Sequence, residues 1–439
     1  MHCTKSILIR AKHISGRLVN VKLGFISGLM PTATLFAEVI TLKSKRIRLI
    51  DCLRGFSLLG ILLANMLIFQ YGMYGKEFLN LFHAPAAELT AHNIVVLLVE
   101  GSFMPIFTFV FGFGMIMMKE GLNAKSRKAG WPLLRRFALL MVLGILHSTF
   151  LWDGDILLYY GLVGILLLIF MNRKPKTLLV WCCILLTLTG LMGLVPENKN
   201  DKTAQATNQR MEAYVQKTVT LYAEGTYGEI KHDRNTANPM GDRPSLVLVA
   251  LMLAPILHMP LFLLGMYAAK KQWFVDPELK RGMYRKGMLI FLPLGLLLKS
   301  YKLLFPEMIG AGTGVMLGGS LLSIGYIMAF ALIYSKYAPS RLLERFEAVG
   351  KLSLTNYLMQ TVICTTIFYG YGLGWFGKIG VIAGCGLALL IYMMQMFVSS
   401  WYITRFKSGP IERVMRMWTY FSLSGKAKRK KAPAAAAEM

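Results

Sequence analysis

Asp51 and Arg54 stand three residues apart in RIRLIDCLRGFSLLGILLANM, residues 46–66, so they share a helical face. Asn65 follows Arg54 by eleven residues, close to three turns, and falls on the same stripe. An acid, a guanidinium and an amide on one stripe of an apolar helix can line a polar crevice. Arg54 would there grip a carboxylate or phosphate with its planar pair of donors. The simpler account makes Arg54 a topology charge at the membrane surface, but acids such as Asp51 do little for topology. The second constellation is HSTFLWDGDIL, residues 147–157. His147 closes one apolar run, and Trp152, Asp153 and Asp155 form a short turn. A histidine oriented by a carboxylate suits a general base. The alternative is an Asp155 that caps the next helix beside a packed histidine. His83 and His92 flank the entry to the second apolar run, and Glu100 lies within it. A membrane-embedded acid needs a partner, for which Arg54 or a histidine would serve. Asn356 and Gln360, four apart in GKLSLTNYLMQT, share a face and either hold a ligand or bond a neighbouring helix.

These groups need elements to carry them, and the composition says which. The chain has 439 residues, 55% of them hydrophobic, and a mean hydropathy of +0.51. That is too apolar for an ordinary soluble enzyme of this length. The apolar residues come in blocks of roughly 20, the length that crosses a bilayer core. The runs are continuous rather than alternating, which excludes a β-barrel. The expected fold is an all-α, polytopic transmembrane bundle of about ten spans. They lie near 49–71, 93–118, 133–152, 155–171, 177–195, 245–268, 286–304, 311–335, 350–370 and 378–402.

The net charge is +27. Its placement argues against nucleic acid as the partner. Lys43 to Arg48, Lys119 to Arg136, Arg173 to Lys176, Lys270 to Lys286, Arg341 to Lys351 and Arg405 to Arg416 occupy alternate connections. The positive-inside rule then puts both termini in the cytoplasm and the basic loops against anionic lipid headgroups. The six cysteines show no paired or metal-ligand spacing, so neither a disulfide framework nor a metal site is expected. Around one transmembrane domain, residues 46–422, stand a basic extension, 1–45, and a basic low-complexity tail, 423–439. Residues 196–244 form the one long polar loop, extracytoplasmic on this topology. Within it YVQKTVTLYAEGTYGEI suits a short amphipathic helix with Tyr214, Leu221 and Tyr222 inward. RFKSGPIERVMR breaks the tenth span at Gly409-Pro410 and starts an interfacial helix.

Five motifs carry a family resemblance. IDCLRGFSLLGILLANM, FTFVFGFG, RRFALLMVLGILHSTFLWDGDILLYYGLVGILLL, GKLSLTNYLMQT and RFKSGPIERVMR resemble, in order, the YeiB-like bacterial integral membrane proteins. The C-terminal half of that family, here about 245–422, is catalogued as domain of unknown function 418. The resemblance covers roughly residues 45–422. It implies a distant relation to transmembrane acyltransferases, among them the acyltransferase-3 proteins and the lysosomal heparan N-acetyltransferase. The shared feature is Asp-x-x-Arg-Gly, here Asp51, Arg54 and Gly55. Acyltransferase-3 proteins have a histidine at this position; here it is Asn65, and the resemblance implies an asparagine in the heparan enzyme too, so a base must come from elsewhere. The heparan analogy points to His92 or His83. The family's own His147, Trp152 and Asp155 compete, and His147 ranks slightly above His92, with His83 third.

The resemblance thus implies transfer of an acyl group from a cytoplasmic acyl-CoA-type donor to an envelope glycan or lipid outside a bacterial cytoplasmic membrane. No bound cofactor is expected. A small-solute or anion transporter is the alternative, with the same polar stripe as coupling groups. A non-catalytic membrane scaffold or sensor is the third reading.

Overall fold

A segment inside a bilayer must satisfy its backbone groups internally, so continuous apolar runs fold as helices. The computed structural model describes residues 47–194, 202–239, 244–306 and 308–427. Among the described residues there are fifteen α-helices and no strand. They are α1 (Arg48–Gly75), α2 (Ala86–Leu98), α3 (Met104–Asn123), α4 (Gly130–Phe150), α5 (Leu157–Leu167), α6 (Pro175–Met192), α7 (Lys202–Glu224), α8 (Tyr227–Thr236), α9 (Pro244–Lys270), α10 (Arg281–Leu304), α11 (Ala311–Tyr337), α12 (Arg341–Lys351), α13 (Ser353–Phe368), α14 (Val381–Arg405) and α15 (Pro410–Tyr420). Short 3₁₀ turns, Leu79–Phe82 and Pro277–Lys280, precede α2 and α10.

All ten expected spans overlap helices, giving a polytopic helical bundle. Seven helices among the described residues are long and apolar enough to cross a membrane: α1, α3, α4, α6, α10 with its 3₁₀ turn, α11 and α14. Of the remaining three expected spans, α9 is 27 residues long, α13 is 16 and α5 is 11. Exposed Ile290, Leu294 and Leu297 on α10, and Leu390, Met394 and Phe397 on α14, give the bundle an apolar outer surface. Such a surface suits lipid rather than water.

The span expected over 93–118 is two helices. The chain unwinds between Leu98 and Met104, where Gly101 takes φ +68. Its freed carbonyls are met by side chains from two other helices. Tyr326 Oη donates to Leu98 O at 2.9 Å, Lys299 Nζ to Glu100 O at 2.6 Å, and Ser323 Oγ to Ser102 O. A broken helix survives at membrane depth only with such partners.

Helix α1 is the hub, packed against α3, α12, α13 and α14. Glycines set its closest approach. A Cβ on Gly350, in α12, would lie 1.8 Å from Asp51 O. The pairing of α3 with α9 works the same way: Cβ atoms on Gly112 and Gly265 would strike Phe262 O and Phe109 O. Small residues at these crossings let backbones touch, as membrane helices require.

The alternation of helices gives the bundle two ends. The basic end holds the start of α1, the α3–α4 connection, α12 and α15. The opposite end holds the α2–α3 break and the α4–α5 turn. There the described part of the long polar loop folds as α7 and α8. Tyr222 is buried and Tyr214 and Leu221 are half-buried, the inward face read from sequence, on a helix longer than expected. A Thr226–Glu229 capping box starts α8. Tyr227 Oη donates to Phe150 O, and Arg234 to Leu151 O and Thr149 O, so α8 is pinned over the α4–α5 turn. The N-terminal extension and residues 428–439 of the tail lie outside the described residues.

Candidate functional site

At the basic end, α1 presents Asp51 in its first turn, where a carboxylate complements the helix dipole. Arg54 Nη1 donates to Asp51 Oδ1 at 3.0 Å and to Gly350 O at 3.4 Å. The second contact exists because glycine brings α12 against α1. The Asp51 side chain is 5% exposed and that of Arg54 is 23% exposed, so the acid anchors and the guanidinium still reaches accessible space. One turn earlier Arg48 binds Glu347, which also takes Lys351. Arg136, at the start of α4, lies within electrostatic reach of Arg54 and of Arg416 on α15. Glu412 belongs to this group, but its oxygens are already engaged. Oε1 accepts from Leu354 N and Thr355 N, and Oε2 from Thr355 Oγ1. It caps the N-terminus of α13, where a carboxylate is favoured, so the break at Gly409-Pro410 clamps α15 to the bundle.

At the opposite end the His147–Asp155 pair read from sequence is formed. Nδ1 meets Asp155 Oδ1 at 2.9 Å, and Oδ2 accepts from Leu158 N at 2.8 Å, so Asp155 both orients the ring and caps α5. An ionised carboxylate only accepts, which makes Nδ1 the donor. Nε2 then meets Thr361 Oγ1 of α13 at 3.0 Å. The order Asp–His–hydroxyl is that of a nucleophilic triad. Here His147 is 2% exposed and Thr361 1%, so no substrate reaches either in this conformation. Trp152 is fully buried, stacked on Phe69 at 4.3 Å and edge-on to His147.

A buried polar ladder on α13 runs between the ends. Asn356 Nδ2 donates to Val349 O at 3.3 Å and to Ser399 Oγ at 3.0 Å. Gln360 Nε2 donates to Gln395 Oε1 at 2.9 Å, and Gln395 Nε2 donates back to Asn356 O at 3.0 Å. Asn356 and Gln360 thus tie α13 to α14, the interhelical bonding that their spacing allowed. The ends are far apart: Phe69 lies 15 residues beyond Arg54 on α1, about 22 Å at the α-helical rise.

The other expected residues are scattered. Asn65 is half-buried and makes no side-chain hydrogen bond among the described residues. Glu100 does not meet Arg54 or a histidine. It sits in the α2–α3 break, 33% exposed, and pairs with Lys76 from the end of α1. The unwinding at Gly101 places it beside Lys76, which lies 22 residues beyond Arg54 at the end of α1. His83 is exposed in a left-handed turn, φ 52. His92, on α2, has a buried Nε2 with no partner among the described residues, whereas both ring nitrogens of His147 are engaged.

Sequence reasoning missed Lys299, Arg136 and Thr361. Lys299 is 8% exposed inside an expected span, five residues from its end, and a lysine there is itself a signal. Arg136 reads as a loop charge from sequence because it borders the α3–α4 connection. Thr361 gave no signal, since a threonine in an apolar helix is ordinary. Among the described residues no cluster of His, Cys, Asp and Glu is arranged to hold a metal ion.

Residues 268–422 match the family model described as a protein of unknown function, DUF418. The chain is 31% identical over 403 residues to the Bacillus subtilis protein YxaH, covering 89% of this chain and 98% of that relative. It is 25% identical over 403 residues to Escherichia coli YeiB, 84% and 95% covered. A 39.9 kDa protein from the amylase 3′ region of Bacillus acidopullulyticus is 26% identical over 381 residues, 86% and 94% covered. All three are described as uncharacterized.

Proposed function

The chain belongs to the YeiB-like DUF418 family, and from that premise we propose that it is a transmembrane acyltransferase of the bacterial cytoplasmic membrane. One observation carries the reading: at the basic end Arg136 lies within electrostatic reach of both Arg54 and Arg416, while Glu412 is consumed as a helix cap and Asp51 is buried beneath Arg54. Such a group suits the phosphates of an acyl-CoA-type donor arriving from the cytoplasm. The acceptor, an envelope glycan or lipid, meets the acyl group at the opposite end. There a base takes the proton of an acceptor hydroxyl or amine. The new C–O or C–N bond forms at the thioester carbonyl, the C–S bond breaks, and the thiolate leaves to be protonated. His92, whose buried Nε2 has no partner among the described residues, is the base that a rearrangement would expose, while His147 in this conformation orders the turn above it.

The test is calorimetric binding of coenzyme A to purified protein. It should bind the wild-type chain, and both Arg54→Ala and Arg54→Lys should weaken it, since lysine lacks the two-pronged donor. Equal binding by all three proteins would remove the reading. Transport is the second reading, favoured by the α2–α3 break with Lys299 and Glu100 at membrane depth, the arrangement of helix-break transporters. Solute flux in proteoliposomes without acyl transfer would select it.

A further inference from the structure

The basic end holds a second polar site, on another side of α1 from Arg54. Arg48 opens α1, and Arg54 stands six residues on, about 120° away round the helix. A cavity of about 230 Å³ lies between the start of α1, the end of α11 and the first turns of α12. Its polar lining is Arg48, Tyr334, Ser340, Glu344 and Glu347. Sites for drug-sized ligands run to about 300–1,000 Å³, so this cavity suits a small polar group rather than a whole coenzyme.

Two of these groups are already spent. Glu347 gives one oxygen to Arg48 Nε at 2.6 Å and the other to Lys351 at 2.6 Å. Ser340 Oγ accepts from Leu343 N and caps α12. The other three have capacity left. Among the described residues neither Nη of Arg48 makes a hydrogen bond, and the nearest oxygen of Glu344 is 3.6 Å from Nη2. The Glu344 carboxylate accepts no hydrogen bond there, and its side chain is 53% exposed. Tyr334 Oη, on the cavity wall, has no hydrogen-bond partner there either. The cavity thus sets spare guanidinium N–H groups beside a spare carboxylate and a hydroxyl. One ligand engages both only if it carries a positive donor and a negative acceptor a few bonds apart.

We infer that this cavity binds the zwitterionic headgroup of a membrane phospholipid, its primary ammonium on Glu344 and Tyr334 and its phosphate on Arg48. An anion alone would meet Glu344, and a cation alone would meet Arg48. The surroundings make the bilayer the source. Tyr337 closes α11, a helix long enough to cross a membrane, and is 65% exposed. Ile333, one turn earlier on the same face, and Leu342, at the start of α12, are also exposed. An exposed aromatic at the end of a span sits at headgroup level, and the apolar face of α11 gives the acyl chains a path while the head turns inward. Nothing in this inference depends on acyl transfer.

The test is lipid retention by native mass spectrometry of the full-length chain in detergent. Dioleoyl phosphatidylethanolamine, phosphatidylcholine and phosphatidylglycerol are offered at equal concentration. Choline keeps the charge but its methylated nitrogen donates no hydrogen bond, and the glycerol headgroup lacks the ammonium. Phosphatidylethanolamine should be retained several-fold over both. Glu344→Gln removes only a loose, exposed ion pair from the fold, and it should bring phosphatidylethanolamine down to the level of phosphatidylcholine. Glu278→Gln is the control, exposed in the 3₁₀ turn that Arg281 ties to Ser335 O at the same end, and should retain the lipid as wild type does. Tyr334→Phe should lower retention by a smaller factor than Glu344→Gln. Equal retention of the three lipids, or an undiminished preference in Glu344→Gln, overturns the inference. Displacement of the lipid by an equal concentration of soluble glycerophosphoethanolamine overturns the bilayer as the source.

Discussion

Replacing His147 by alanine separates a structural role from a catalytic one, because the two predict different magnitudes in different measurements. The imidazole is the one side-chain donor to Asp155 among the described residues, and it gives Thr361 its partner across the α4–α13 contact. With His147 gone, Asp155 keeps the Leu158 N–H alone, in a side chain 3% exposed. Leaving a buried carboxylate without its hydrogen-bond donor costs about 1–3 kcal/mol, because the group stays desolvated. The orphaned Thr361 hydroxyl adds about 1 kcal/mol. The assay is chemical unfolding of the purified protein in detergent, on His147→Ala, Asp155→Asn and the double variant. The double variant should be less destabilised than the sum of the singles by about 1–3 kcal/mol, the coupling of residues in one network. His147→Gln, which can still donate to Asp155, should recover part of the loss. A His147→Ala chain as stable as wild type but without turnover would refute this reasoning. His147 would then be a base that reaches substrate after a rearrangement.

Three further outcomes follow from other parts of the bundle. Gly350→Ala should fail to accumulate in the membrane, because its Cβ would sit 1.8 Å from Asp51 O and α12 would have to leave α1; normal expression with intact Arg54-dependent binding would show that the crossing is loose. Lys299→Met should destabilise the chain by about 1–3 kcal/mol by taking the charged donor from Glu100 O and Ser102 Oγ, which keep only their long 3.5 Å bond to each other, read by the same unfolding assay, and Ser323→Ala should add to it. A cysteine at Asn235 should react with an impermeant reagent in intact cells and one at Ser126 should not, since they lie on opposite ends of the bundle; the reverse pattern would invert the topology.

What the sequence made legible follows from which physical signals are local. Apolar length and alternating basic loops place ten helical segments, because both reflect the bilayer rather than any partner residue. The Asp51–Arg54 and His147–Asp155 pairs were legible because each forms within one helix or one turn. Glu100 was not, because its partner depends on where the chain unwinds, and a single glycine at 101 decided that against an otherwise continuous apolar run. Lys299 then becomes intelligible: the lysine exists for the broken helix, and neither can be explained without the other. The same logic governs Arg136. Next to Arg135 it reads as one more loop charge, yet only one of the two matters for Arg54. Arg135 turns outward, its guanidinium over the Phe421 ring, while Arg136 faces the hub. Adjacent helical positions point about 100° apart, so the distinction is a matter of rotation about α4, and that rotation is set by the contacts of α4 with α5 and α15. A function that depends on converging guanidinium groups is therefore written in tertiary packing. Swapping the charge between these neighbours, Arg136→Gln against Arg135→Gln, should weaken coenzyme A binding only in the first.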